Sequence, residues 1–260
     1  MSSTSALEQV GLVGWRSIRR TLRQPALIVP TLVFPLFLLA VNSSGLSSAT
    51  KLPGFPADSY LDFAITVAFM QGALFASITA GTELATDIDT GFLNRLQLTP
   101  LQRIAILIGQ TAGATTLALI GAVVYLVVGL AAGVHIKAGV GGALVLLAYA
   151  VFIAIAFSGI GAIMGARTGS PEAVQGVFPL IFSLFFLSSM SLPRNLITID
   201  WFRTVATWNP VSYLIEGLRS LVITGWDATA LLRGVGVGVA ILVLSFWAAD
   251  RALATRMART

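Results

Sequence analysis

Apolar runs of about twenty residues recur along the chain with short polar stretches between them, the length a helix needs to cross a bilayer. Six such runs are predicted, at 25–43, 61–81, 104–134, 139–166, 173–191 and 229–250. Together they take up about half of the chain or more, leaving no room for a separate soluble domain. The expected fold is therefore all-α and integral to the membrane, one domain over residues 1–260. The third and fourth runs are long enough to tilt or to overshoot the bilayer. Pro25, Pro30 and Pro35 predict irregular or kinked opening turns in the first.

Three polar segments interrupt this pattern. Residues 1–24 contain an amphipathic helix, with Arg16, Arg19, Arg20 and Arg23 within an arc of ~100°. Leu7, Val10, Trp15, Ile18 and Leu22 lie opposite, which suits a helix along the membrane surface, either an anchor alone or a lever that also touches a cytoplasmic partner. Residues 82–103 form a charged loop in which Leu84, Ile88, Phe92 and Leu96 recur every fourth position, one apolar stripe on a short helix. Such a stripe pointing into water predicts contact with a soluble partner. Asp87 and Asp89 early and Arg95 late suit the helix dipole. Gly91 inside this helix needs a reason such as close backbone packing, and Thr99–Pro100 ends it. Residues 192–228 are too polar to span, yet carry Trp201, Trp208, Tyr213 and Trp226, which favour the headgroup level. There Asn209 is placed to cap a helix that starts at Pro210, and Glu216 and Arg219 can pair on one face.

Composition sharpens the topology. The chain is 56% hydrophobic and 10% charged, with mean hydropathy +0.89. Arg16, Arg19, Arg20, Arg23, Arg95, Arg103, Arg167, Arg251, Arg256 and Arg259 fall on one side of the six-span topology, Lys51 and Lys137 in short loops on the other. Arg194, Arg203 and Arg219 also fall on that other side, in a long segment that obeys the positive-inside rule weakly. Both termini are thus expected in the cytoplasm, in a multi-pass protein of the inner (plasma) membrane. The net charge of +5 reads as topological and does not imply nucleic acid. No secretory signal is evident, because the first apolar run follows an arginine-rich stretch. Cysteine is absent, which removes disulfides and thiol chemistry. The single His135 is expected at headgroup level, and no catalytic or metal-binding set is predicted.

The string Asp87, Asp89, Gly91, Arg95–Leu96 and Thr99–Pro100 resembles the cytoplasmic signature of ABC-2 type permeases of ATP-binding-cassette transporters, of the daunorubicin-resistance, antibiotic- or drug-exporting type. Leu192–Pro193, Trp201, Trp208–Asn209–Pro210, Tyr213, Glu216, Gly217 and Arg219 resemble the same family's segment between its fifth and sixth spans. The likeness covers almost the whole chain. One departure is Asp87-Ile88-Asp89, where family members often place a basic residue between or beside the acids.

The resemblance implies that the 82–103 loop is a coupling helix, with Glu83, Asp87, Gly91, Arg95, Leu96, Thr99 and Pro100 at the ATPase contact. It makes 192–228 an outer re-entrant segment built around Asn209, Pro210, Glu216 and Arg219. It also implies two copies of an ATP-binding subunit, which hold ATP and Mg, and a second permease, either a copy of this chain or a sister. This chain holds no cofactor in that scheme. No phosphate-cradling G-x-x-x-x-G-K-[ST] sequence is present, so ATP hydrolysis falls to another polypeptide. In the family's arrangement the second and fifth spans line the permease interface, which makes Phe69, Gln71, Phe75, Phe178, Phe182 and Phe185 candidates for the translocation surface. Amides at Gln71, Gln110 and Gln175 otherwise serve as hydrogen-bonding glue between helices.

The expected function is export of a hydrophobic or amphipathic compound, a drug, antibiotic or lipid. An ion-coupled carrier without an ATPase is the alternative, disfavoured by the scarcity of deep carboxylates. Ser158–Gly159 suggests an intramembrane protease only weakly, because a catalytic partner is lacking. Gly159, Gly161 and Gly165 are better read as close helix packing.

Overall fold

A computed structural model describes residues 6–97 and 103–257. Among these the chain is helical, with no strand: α1 (Ala6–Thr21), α2 (Pro25–Gly45), α3 (Tyr60–Asp89), α4 (Phe92–Gln97), α5 (Arg103–Ala131), α6 (Gly139–Thr168), α7 (Pro171–Gly176), α8 (Phe178–Phe186), α9 (Asp200–Trp208), α10 (Pro210–Ile223) and α11 (Ala228–Met257). Short 3-10 turns occupy Ser47–Lys51 and Arg194–Leu196.

Among the described residues five helices are long and apolar enough to cross a membrane: α2, α3, α5, α6 and α11. The run at 173–191 is different. It forms α7 and α8, of six and nine residues, in place of one continuous helix. Pro179 explains the break, since it has no N–H to donate and its ring clashes with the preceding turn, so a new helix starts with the proline in its first turn. By contrast α2 runs unbroken through Pro30 and Pro35. Pro35 leaves the Thr31 carbonyl without its intrahelical donor, and the buried Tyr125 hydroxyl of α5 donates to that oxygen instead.

The bundle is built around α3, which is buried nearly all round, whereas α2 and α11 lie at the periphery. Small residues let α6 approach α3 backbone to backbone. A Cβ at Gly81 would lie 2.6 Å from the Gly161 carbonyl oxygen, and Gly161 and Gly165 abut the carbonyls of Ser77 and Gly81. Gly159 faces Ser245 of α11, whose hydroxyl donates to the Ala156 carbonyl at 3.0 Å. These are the close contacts expected of those glycines.

The bundle has two distinct ends. One carries α1, α4 and a small core of Leu84, Leu93, Ile106, Ala166 and Leu253. The other carries α9, α10 and the starts of α3, α6 and α11. Exposed tryptophans mark both, Trp15 and Trp247 at the α1 end and Trp201, Trp208 and Trp226 at the α10 end. Between Trp226 and Trp247 runs about 30 Å of helix, close to the thickness of a bilayer's hydrocarbon core.

Candidate functional site

At the α1 end, the amphipathic helix docks on α5 through small residues. A Cβ at Gly109 would lie 2.6 Å from Val13 Cβ, and one at Gly113 would lie 2.6 Å from Ser17 Oγ. Gln9, Val13, Ser17 and Thr21, four apart, form the buried face of α1, while Leu12 and Trp15 stay exposed on the other side. Into this contact α3 directs two carboxylates one turn apart, Glu83 and Asp87, each only 1% exposed. Ser17 Oγ donates to Glu83 Oε2 (2.8 Å), with the Gln110 carbonyl oxygen 3.0 Å away, and accepts from Gly113 N–H (3.1 Å). Thr21 Oγ1 donates to Glu83 Oε1 at 2.5 Å.

Asp87 receives a two-pronged Arg16 guanidinium, with Nη1 to Oδ2 and Nη2 to Oδ1 both at 2.8 Å. Arg20 Nη1 donates to Oδ1 at 2.8 Å, and the Gln110 amide donates to Oδ2. A buried carboxylate is tolerated only when paired and hydrogen-bonded, and every lone-pair direction of Asp87 is used here. In return the Asp87 hydrogen bond holds the Arg16 guanidinium above its usual value, against its partial burial. Arg16 also lies 3.7 Å above the Phe92 ring of α4. The network therefore joins α1, the end of α3, the start of α5 and the short α4.

The apolar stripe expected on one short helix is divided between two. Helix α3 continues to Asp89, and α4 begins only after Gly91. Gly91 takes φ +67° with open space around its Cβ position, so the turn requires glycine, and close packing is not the reason. Leu84 is in the core, Ile88 packs against it, and Phe92 lies beneath Arg16. Arg95 is exposed on α4. Leu96 belongs to α4 but its side chain lies outside the described residues, as do Thr99 and Pro100 altogether.

Phe75, Phe178, Phe182 and Phe185 are brought together. Phe75 lies 5.8 Å from Phe178, Phe178 5.4 Å from Phe182, and Phe182 6.2 Å from Phe185. Phe34 of α2 joins them at 6.1 Å from Phe75 and 5.8 Å from Phe182. Beside this cluster a cavity of about 340 Å³ opens between α2, α3 and α7, lined by Leu27, Pro30, Thr31, Phe75, Gln175 and Phe178. Phe69 is elsewhere, edge-on to Tyr125 at 5.9 Å. Gln71 is buried, and neither its amide nitrogen nor its oxygen has a hydrogen-bond partner.

At the α10 end, Asn209 caps α10 by accepting from Val211 N–H at 2.9 Å. Its amide also donates to the Leu184 and Leu187 carbonyls at 2.7 and 3.0 Å, tying α8 to α10. Pro210 fills the first helical position. Glu216 pairs with Arg194, which lies 4.5 Å over the Tyr213 ring. The pairing expected between Glu216 and Arg219 is not what forms. Arg219 turns inward and donates to the carbonyls of Phe63, Ser189 and Met190 at 3.3, 3.0 and 3.1 Å, its guanidinium 3.4 Å over the Phe63 ring.

A family model described as ABC-2 type transporter matches residues 8–223. The chain belongs to the ABC-2 type transporter family. It is also similar to the daunorubicin resistance ABC transporter permease protein DrrB1 of Streptomyces coeruleorubidus, with 25% identity over 221 residues, covering 80% of this chain and 72% of that protein.

Membership makes this a membrane transport subunit, not itself catalytic, and implies an ABC ATP-binding partner. Among the described residues of the permease, no group of three or more His, Cys, Asp or Glu is placed to hold a metal ion. Sequence reasoning picked out Glu83 and Asp87 but not the donors that hold them. Arg16 and Arg20, expected at the membrane surface, turn instead to Asp87, and no motif marks Ser17 and Thr21 as the partners of Glu83. The available signal was a face of α1 on which small hydroxyls alternate with arginines, an unusual pattern for simple membrane anchoring.

Proposed function

We propose that the chain is the membrane-spanning permease of an ATP-driven exporter that moves a hydrophobic or amphipathic compound, a drug, antibiotic or lipid, out of the cytoplasm. The relative's name supports the substrate class. The observation that carries the mechanism is the buried network joining α1, α3 and α5 beside the exposed Arg95 of α4. The α1 end faces the cytoplasm in this reading, because the arginines of α1, α4 and the ends of α5, α6 and α11 gather there. Two ATP-binding subunits, which hold ATP and Mg, dock at the α3–α4 corner on Arg95, Leu96, Thr99 and Pro100, with Gly91 making the turn between the two helices. Glu83 and Asp87 act from inside, fixing α1 to α3 so that a push on the corner moves both.

A second permease, a copy or a sister chain, completes the route, with the α7–α8 pair as the sixth crossing. Phe75, Phe178 and Phe182 face that route, and the buried Phe185, Phe69 and Gln71 support it from inside the chain. ATP shifts the assembly only through its different affinity for the two states.

The test is co-expression with candidate ATP-binding subunits, pull-down in mild detergent, and export assayed in cells. A complex with ATPase activity, lost in Arg95→Glu, and export that survives collapse of the membrane potential are expected. No ATPase recovered with either sequence, and transport that follows the membrane potential, would replace this reading with an ion-coupled carrier.

A further inference from the structure

The α10 end holds a buried cation that no carboxylate touches, although Glu216 attracts it from a distance. Arg219 is 6% exposed, and among the described residues no acid lies within ion-pair distance of it. Its partners are the carbonyls of Phe63, Ser189 and Met190. A guanidinium has five N–H donors, so those bonds leave two free. Carbonyl dipoles moderate a buried cation but do not cancel its charge, and an ionised group in such a place is a candidate for a functional site.

Arg219 lines a cavity of about 330 Å³, together with Phe63, Pro193, Arg194, Asn195 and Glu216. Glu216 is already held by Arg194. Burial works most strongly against the Arg194 charge, and the hydrogen bonds and charge attraction of Glu216 and Tyr213 together more than offset it. Two guanidinia and one carboxylate leave the cavity with a net charge of +1. The Asn195 amide can contribute further donors. Exposed Trp201, Trp208 and Trp226 put this end at headgroup level, where phosphate is the abundant anion.

We propose that the cavity between Arg219, Arg194 and Asn195 is an oxyanion site that takes a phosphate group, supplied by an anionic lipid headgroup or by free phosphate. A guanidinium presents paired donors that match phosphate oxygens, and the cavity is larger than a bare phosphate, with room for a headgroup. The site is separate from the α1-end network and does not depend on which compound is transported.

The experiment is native mass spectrometry of the full chain, delipidated in neutral detergent, titrated with dioleoylphosphatidylglycerol, dioleoylphosphatidylcholine and inorganic phosphate. Binding of one phosphatidylglycerol, weak binding of phosphatidylcholine and displacement by millimolar phosphate identify a headgroup site. Binding of inorganic phosphate without phosphatidylglycerol identifies free phosphate as the ligand. Glu216→Gln removes the competing charge and should tighten anion binding at least about fivefold, while Arg219→Gln should weaken it by a similar factor. The gain in Glu216→Gln is the decisive arm, because a purely structural role for Arg219 does not produce it and it does not require Arg219→Gln to fold. The proposal is overturned if neither probe binds, if phosphatidylcholine binds as well as phosphatidylglycerol, or if Glu216→Gln leaves anion affinity unchanged.

Discussion

The two ends of the bundle solve the problem of buried charge in opposite ways. At the α1 end the buried groups are acids on the central helix α3, and apart from Gln110 of α5 their partners are side chains of a helix that lies outside the bundle. At the α10 end the buried group is a cation, and its partners are backbone carbonyls of the α3 start and the turn after α8. Side-chain partners on a peripheral helix fasten two separate bodies together. Backbone partners pin one helix into a fixed frame. The α1 end is therefore suited to carrying a displacement, and the α10 end to resisting one.

The largest effect should come from Asp87→Ala, which leaves Arg16, Arg20 and Gln110 without their acceptor. With both arginines partly exposed, a loss of about 2–3 kcal/mol is expected from a broken, partly screened ion-pair network. Thermal unfolding in detergent reads the stability, and transport should fail even in the folded fraction. Stability equal to the parent would remove the distinction between the ends. Arg219→Lys comes next, since an ammonium cannot reproduce the guanidinium's fork toward the carbonyls of Phe63, Ser189 and Met190, at a cost of about 1–2 kcal/mol. Here the folded protein should keep its ratio of transport to ATP hydrolysis, and a changed ratio would mean that this end is no passive frame.

Glu83→Gln keeps the shape but exchanges a charged acceptor for a neutral one opposite Ser17 and Thr21, for about 1 kcal/mol on the same unfolding assay. Arg19→Gln is the control, because Arg19 is exposed beside the network. A change within about 0.5 kcal/mol is expected. A loss comparable to Asp87→Ala would show that charge on α1, not the specific pairing, stabilises the docking.

Much of the bundle was legible from the lengths of the apolar runs, because a bilayer fixes how long a crossing helix must be. The run at 173–191 reads as one helix although Pro179 stands within it, since hydropathy averages over the residue that breaks the hydrogen-bond ladder. The stripe of Leu84, Ile88, Phe92 and Leu96 showed the right spacing but not that Gly91 divides it between two helices. Glu83 and Asp87 could be flagged as polar groups near a membrane end. Their partners in α1 are 62 to 71 residues away in sequence, and periodicity reports a face without saying what covers it. Arg219 shows the same limit. Its spacing from Glu216 allowed a pair on one helix face, and tertiary packing drew it to Phe63, Ser189 and Met190 instead.

The central claim is that α1 and the ends of α3 and α5 move as one body. The chain lacks cysteine, so a single engineered pair reports without background. A Cβ at position 14 would lie 3.3 Å from Ala112 Cβ, near the separation a disulfide spans. Export should be measured for Gly14→Cys/Ala112→Cys before and after oxidation in the assembled transporter. Unchanged export with α1 covalently fixed to α5 is the predicted result. Export that stops on oxidation and returns on reduction would show that α1 must slide against α5, which contradicts the account.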